Sequence, residues 1–189
     1  RGEFLLKMKK RIAFVHNAMW EMYNFRGELL QELKAKGYEI TVICPPDEKN
    51  AHYFTDLGIK LLTVPMSRKG TNIKEDVQLV KNLFKVYKKE KFDLVFHYTI
   101  KPNIYGTLAA KLAGIKSIAI TTGLGYVFLH NNITSLIAKF MYKFSLAFAN
   151  EVWFLNDDDM NIFLDKDLIT ERQAFKLPSE GINTKRFVP

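Results

Sequence analysis

The sequence predicts an α/β chain: a Rossmann-like, doubly wound parallel sheet of about seven strands with helices on both faces. Three observations carry this. Short apolar runs of β-compatible residues recur along the chain and alternate with segments of helical periodicity. Each run is nearly continuous rather than alternating in polarity, as expected of a strand buried on both sides. The chain has 189 residues, 48% hydrophobic and 25% charged, which suits one domain with a sizeable core.

The elements follow in order. "RIAFVH" (11–16) reads as the first buried strand, and a helix over roughly 22–36 repeats Phe25, Leu29, Leu30 and Leu33 until Gly37 stops it. "EITVIC" (39–44) is a strand closed by Pro45-Pro46. A helix near 48–57 ends at Gly58, and "IKLLTV" (59–64) is the third strand. Residues 73–91 form the clearest amphipathic helix, with Val77, Val80, Leu83, Phe84 and Tyr87 on the expected core side. "DLVFH" (93–97) is a strand, followed by a helix over 102–113 that opens on Pro102 and closes at Gly114. "KSIAIT" (116–121) is the fifth strand and leads into a glycine loop, "TGLGY". A helix over 133–149, a strand "EVWFL" (151–155), a short helix over 157–164 and a strand "QAFKLP" (173–178) complete the pattern.

Composition excludes several classes. The single cysteine, Cys44, sits in an apolar run and reads as a buried core thiol, and its solitude excludes an internal disulfide framework. No Cys/His cluster has metal-ligand spacing, so neither a metal site nor a cofactor is expected. No apolar stretch reaches the length of a spanning helix, and no signal peptide is visible, so the compartment reads as cytoplasmic. Residues 1–7 precede Met8 and read as a remnant foreign to the fold; residues 8–189 form the domain. Net charge is +8. Residues 94–150 hold five lysines but neither an arginine nor a carboxylate, which biases that region toward anionic partners.

In a doubly wound sheet, ligands sit at the carboxyl ends of the strands, here the loops 16–24, 65–72, 97–102 and 122–132. The first loop, "HNAMWEMYNFRGE", lacks the G-x-G-x-x-G of a dinucleotide site, and no Walker or G-x-S-x-G sequence occurs. What remains is the glycine loop and two cations. Arg26 in the first turn of the first helix and Lys101 just before the fourth would each reinforce a helix N-terminus as a phosphate-binding rim.

Four segments, "YNFRGELLQELKAKGYEITVICP" (23–45), "KPNIYGTLAAKLAGI" (101–115), "GLGYVF" (123–128) and "EGINTKRFVP" (180–189), together resemble the N-terminal domain of retaining, family 4 glycosyltransferases of the GT-B architecture. They are similar to bacterial enzymes that extend polyprenyl-diphosphate-linked or capsular glycans. The resemblance covers nearly all of residues 9–189. It implies an enzyme of two halves: this one holds the acceptor, and a C-terminal donor domain, absent from this chain, holds the nucleotide-sugar. The chain alone is therefore expected to be inactive.

The resemblance also places residues. Tyr23, Asn24 and Arg26 fit an acceptor-side signature, joined by Lys101 and by His97, which with His16 ends a strand facing the cleft. Phe25 reads as core. The loop Thr122, Gly123, Leu124, Gly125 and Tyr126 would line the cleft, its glycines letting backbone N–H groups approach an anion. Two departures stand out. Thr122 occupies the place where many members carry histidine, and the first loop lacks their glycine pair.

The helix over 133–150 completes the picture. Ile133, Leu136, Ile137, Phe140, Phe144, Ala147 and Phe148 form one stripe, expected to pack on the sheet. The opposite face, with Lys139, Tyr142, Lys143 and Leu146, is then expected to lie on an anionic membrane, peripheral at the inner face of the cytoplasmic membrane. Two other functions compete. A GT-B nucleotide-sugar epimerase half would need carboxylates near the cleft, and a nucleic-acid-binding module would need arginine-rich surfaces; neither is present in 94–150, and no nucleic-acid partner is expected.

Overall fold

The computed structural model describes residues 10–67, 72–124, 133–178 and 181. Seven parallel strands, β1 (Arg11–Val15), β2 (Glu39–Cys44), β3 (Lys60–Thr63), β4 (Leu94–Tyr98), β5 (Lys116–Thr121), β6 (Glu151–Phe154) and β7 (Ala174–Lys176), form one sheet in the order β3-β2-β1-β4-β5-β6-β7. The strand order reverses between β1 and β4, the position at which a doubly wound sheet opens a crevice at its carboxyl edge. The expected fold class therefore holds.

The helices are α1 (Met19–Ala35), α2 (His52–Asp56), α3 (Ile73–Glu90), α4 (Thr107–Ala113), α5 (Ile133–Leu146) and α6 (Asp157–Asp165). Side chains alternate along each strand, and two layers result. Ile12, Phe14, Ile40, Val42, Tyr98 and Ile120 pack on α1 and α2 through Met19, Met22, Leu30 and Phe54. On the other face, Ala13, Val15, Ile43 and Val95 meet Leu79, Leu83 and Tyr87 of α3 and Ala109 and Ala110 of α4. Ala119, Val152 and Phe154 meet Tyr142 and Leu146 of α5 and Phe163 of α6.

Local chemistry explains the element ends. Asn72 caps α3, its side-chain oxygen accepting from the backbone N–H groups of Lys74 and Glu75. Asn156 does the same for α6 through Asp159. The single helix expected over 102–113 is instead a π-helical turn, Pro102–Gly106, running into α4. That turn brings Gly106 against β4: a Cβ there would lie 2.5 Å from the His97 ring.

Three helices present a different face from the one their apolar stripes suggest. In α1, Phe25 and Leu29 are exposed while Arg26 is buried, so Phe25 is not core. In α3, Asp76 faces inward and Val77 outward. In α5 the reversal is complete. Leu136, Ile137, Phe140 and Phe144 are 63%, 54%, 67% and 51% exposed, whereas Ser135, Tyr142, Ser145 and Leu146 are buried. The expected membrane-facing Tyr142 and Leu146 therefore belong to the core, and only Lys143 of that set is exposed.

The inward face of α5 mixes two serines with Tyr142 and Leu146. Ser145 donates its hydroxyl to the Met141 carbonyl at 2.7 Å, and Tyr142 meets Phe163 edge-on at 5.6 Å. Tyr142 and Leu146 pack in one cluster with Ile104 of the turn at 102–106. The bulky stripe is left outside, forgoing ~1.5–3 kcal/mol per side chain that full burial would contribute.

Candidate functional site

The carboxyl edge of the sheet gathers the candidate residues, and the crevice between β1 and β4 is its centre. β1 ends one residue before His16, whose backbone N–H still donates to the Ile43 carbonyl. The His16 ring is buried. Its Nδ1 accepts from the Ala18 N–H at 2.9 Å, Nε2 lies 3.7 Å from Glu21, and its ring stands 5.9 Å from that of Tyr98. It shapes the β1–α1 turn.

α1 starts at Met19, earlier than expected, so Arg26 lies two turns inside the helix rather than in its first turn. It reaches the crevice from the buried face of α1. The residue is only 5% exposed, and its guanidinium lies 4.6 Å above the Tyr98 ring and 5.7 Å from Phe25. An aromatic face attracts a guanidinium through its quadrupole and fixes its plane. Tyr98 was not singled out in the sequence; placing the end of β4 at 97 hides it, and one further residue brings it into the site. Trp20, half-exposed and edge-on to Phe25 at 6.3 Å, adds an aromatic rim. Asn24 is half-buried beside it in α1. The Tyr23 ring is directed elsewhere, stacked at 4.0 Å on Tyr53 and edge-on to Phe54, where it holds α2.

His97 does not face the crevice. Because strand side chains alternate, it points to the α3–α4 side and is 0% exposed. It makes hydrogen bonds with the Tyr87 hydroxyl through Nε2 (2.9 Å) and with Thr107 through Nδ1 (3.3 Å). Burial holds its pKa down to about 3 and pushes the Tyr87 phenol up, so the pair is neutral. The expected acceptor-side histidine is a core residue.

Lys101 is likewise committed. Its Nζ bonds Asp76 Oδ1 and Ser67 Oγ, each at 2.7 Å, and Tyr105 donates to Asp76 Oδ2 at 2.8 Å. Lysine and aspartate are both nearly buried. The network lines a concavity of about 610 Å³ bounded by Pro45, Pro65, Met66, Leu79 and Asn82 at the ends of β2 and β3. Asp76 carries no local sequence signal for this role, being 25 residues from its partner. The lysine faces a carboxylate rather than an open anion site.

Between these two centres the backbone is strained. Thr99, just past β4, takes φ +69°, rare for a β-branched residue and worth ~1–3 kcal/mol. Its hydroxyl and that of Thr121, at the end of β5, have no hydrogen-bond partner among the described residues. In the glycine loop, Thr122 and Gly123 are exposed and Leu124 is half-buried; Gly123 takes φ +141°, which favours glycine. Gly125 and Tyr126 lie outside the described residues. The Cys44 thiol is buried, which raises its pKa to about 12 and leaves it unreactive.

Comparison with known proteins gives a consistent picture. The family model described as "Glycosyl transferase 4-like" matches residues 11–156. The chain is 32% identical over 187 residues to N,N'-diacetylbacillosaminyl-diphospho-undecaprenol alpha-1,3-N-acetylgalactosaminyltransferase of Campylobacter jejuni, covering 95% of this chain and 48% of that protein. It is 24% identical over 153 residues to the Escherichia coli UDP-Gal:alpha-D-GlcNAc-diphosphoundecaprenol alpha-1,3-galactosyltransferase, covering 80% and 39%. Among solved structures, a glycosyltransferase from Rickettsia africae superposes with a TM-score of 0.65 at 18% identity, covering 94% of this chain and 45% of that one. Solved UDP-N-acetylglucosamine 2-epimerases share the same fold, so the fold by itself does not choose between the two activities. The chain spans about half the length of the curated relatives it matches.

Proposed function

We propose, since the chain belongs to the glycosyl transferase 4-like family, that it is the acceptor-binding half of a retaining glycosyltransferase. In this reading the whole enzyme moves a sugar from a nucleotide-sugar to a polyprenyl-diphosphate-linked glycan at the inner face of the cytoplasmic membrane. Both curated relatives are transferases named for diphospho-undecaprenol substrates, which favours transfer over epimerisation.

The observation that carries the reading is the Arg26–Tyr98 stack at the β1–β4 crevice. A cation whose plane is fixed by an aromatic ring is suited to a diphosphate, because the donor fork needs little ordering on binding. Trp20 offers an aromatic face beside it for a sugar ring. The hydroxyls of Thr99 and Thr121 add short polar groups at the same edge, and Gly123 leaves backbone accessible there. Among the described residues no helix is long and apolar enough to cross a membrane. The relatives' names point to a lipid-linked acceptor, so the enzyme is proposed to work at a membrane surface. Transfer itself then depends on holding the acceptor hydroxyl against the donor sugar and on stabilising the departing nucleoside diphosphate.

The test is transfer by the full-length enzyme to a diphosphate-linked lipid acceptor, with Arg26→Ala. Loss of one charge-assisted contact of ~1.5–3 kcal/mol raises the acceptor KM roughly 10- to 150-fold while the donor KM stays unchanged. The 189-residue chain alone serves as the control without turnover. Unchanged acceptor kinetics in Arg26→Ala, or turnover by the 189-residue chain, would overturn the assignment.

A further inference from the structure

The outer face of α5 carries a run of exposed bulky apolar side chains. Leu136, Phe140, Phe144 and Phe148 form an i, i+4 ridge, widened by Ile137, and all are exposed. Phe144 and Phe148 pack edge-on at 5.5 Å. It continues onto α4, where Leu112 is exposed and Lys111 Nζ lies 5.5 Å from the Phe148 ring. A folded chain that turns serines inward and phenylalanines outward marks a surface meant to be covered.

The charges around the ridge identify the cover. Lys111 and Lys143 rise from it, Lys139 flanks it, and no carboxylate occurs between residues 94 and 150. An apolar ridge carrying the exposed lysines Lys111 and Lys143 is complementary to an anionic interface with an apolar interior. α5 leads from the carboxyl side of β5 back to the start of β6. Its first turns, with Leu136 and Ile137, therefore lie toward the edge where the crevice opens. We propose that this ridge docks the protein on anionic lipid, Phe140 and Phe144 entering the acyl boundary and Lys111 and Lys143 meeting the headgroups. The choice of a lipid surface as partner rests on the acceptor reading above.

The test uses the 189-residue chain and vesicles of phosphatidylcholine with or without phosphatidylglycerol, free of any polyprenyl lipid. Cosedimentation is expected with anionic vesicles and is weakened by salt. Lys143→Gln lowers the bound-to-free ratio about fivefold, the effect of one lysine at such a surface. Phe140→Ser/Phe144→Ser lowers it more than tenfold, with an unchanged thermal transition because both positions are exposed. Binding indifferent to the phenylalanine pair would overturn the proposal. So would failure to bind vesicles combined with a dimer, seen by sedimentation velocity, that the same pair disperses, since the ridge would then be a contact between copies. An enzyme inactive on lipid-linked acceptors whose vesicle binding still collapses with Phe140→Ser/Phe144→Ser would sink the acceptor reading and leave this one standing.

Discussion

Replacing Lys101 by methionine removes the ammonium but keeps most of the stem, and the structure sets the size of the consequence. The Lys101–Asp76 contact is 2.7 Å between residues that are both nearly buried. Removing one partner of such a pair leaves an uncompensated charge and costs ~3–5 kcal/mol. Two features place Lys101→Met near the low end: Tyr105 still donates to the other carboxylate oxygen, and Asp76 lies in the first turn of α3, where the helix favours negative charge. For a chain of this size ~3 kcal/mol lowers the thermal midpoint by roughly 6–12 °C. The double variant Lys101→Met/Asp76→Leu leaves no orphan charge and recovers most of the loss, and the cycle isolates the coupling. Circular dichroism melts of the four proteins are the assay. A Lys101→Met midpoint within about 1 °C of the parent would refute the argument and return Lys101 to the list of anion ligands.

Other consequences are open to measurement. Burial holds the His97 pKa at about 3, below the ordinary value of 6.5, so the unfolded chain takes up a proton on acidification that the native chain refuses. Stability from this group is complete above pH 6.5 and falls by ~1.4 kcal/mol per pH unit below it. Urea unfolding of His97→Asn should therefore show an acid slope shallower by that amount between pH 6 and 5; equal slopes would remove His97 as the cause. Gly106→Ala places a methyl 2.5 Å from a ring held by two hydrogen bonds, so overpacking of ~1–3 kcal/mol is expected from the same unfolding curves. A variant as stable as the parent would mean the ring moves aside. The Arg26→Ala acceptor kinetics and the vesicle binding of Phe140→Ser/Phe144→Ser complete the set.

What the sequence made legible follows from the range of the forces involved. The strands were readable because the central ones are nearly continuous apolar runs, and neighbouring glycines and prolines punctuate them. The side on which a helix packs was not. A stripe of apolar residues states a preference of a few kcal/mol, but a partner far along the chain can override it. Arg26 turns inward because Tyr98 supplies an aromatic face, and Asp76 because Lys101, Ser67 and Tyr105 converge on it. Ser145 turns inward because it can donate to its own helix and leave room for close approach. None of these pairings has a local spacing that a sequence displays. A one-residue difference at the end of β4 likewise exchanged roles between His97, read as a cleft residue, and Tyr98, which is the one beneath Arg26.

These reversals relocate the positive charge that the acid-free stretch signals. Lys101 is neutralised by a carboxylate from outside that stretch, and Lys116 starts β5 at the opposite edge of the sheet. The remaining lysines of the stretch, Lys111, Lys139 and Lys143, lie on α4 and α5 at the flank of the domain, whereas Arg26, among the described residues, is a cation beside the β1–β4 crevice. The two kinds of positive site differ in physics. Arg26 is buried and oriented, suited to a single anionic group in fixed geometry. Lys111 and Lys143 are exposed, each contributing ~1 kcal/mol to a diffuse anionic surface, whereas each phenylalanine of the ridge contributes ~1.5–3 kcal/mol on full burial. Docking on α5 should thus be led by apolar insertion and tuned by charge. Salt weakens it without abolishing it, while polar substitutions on the ridge lower it more than tenfold at any salt concentration.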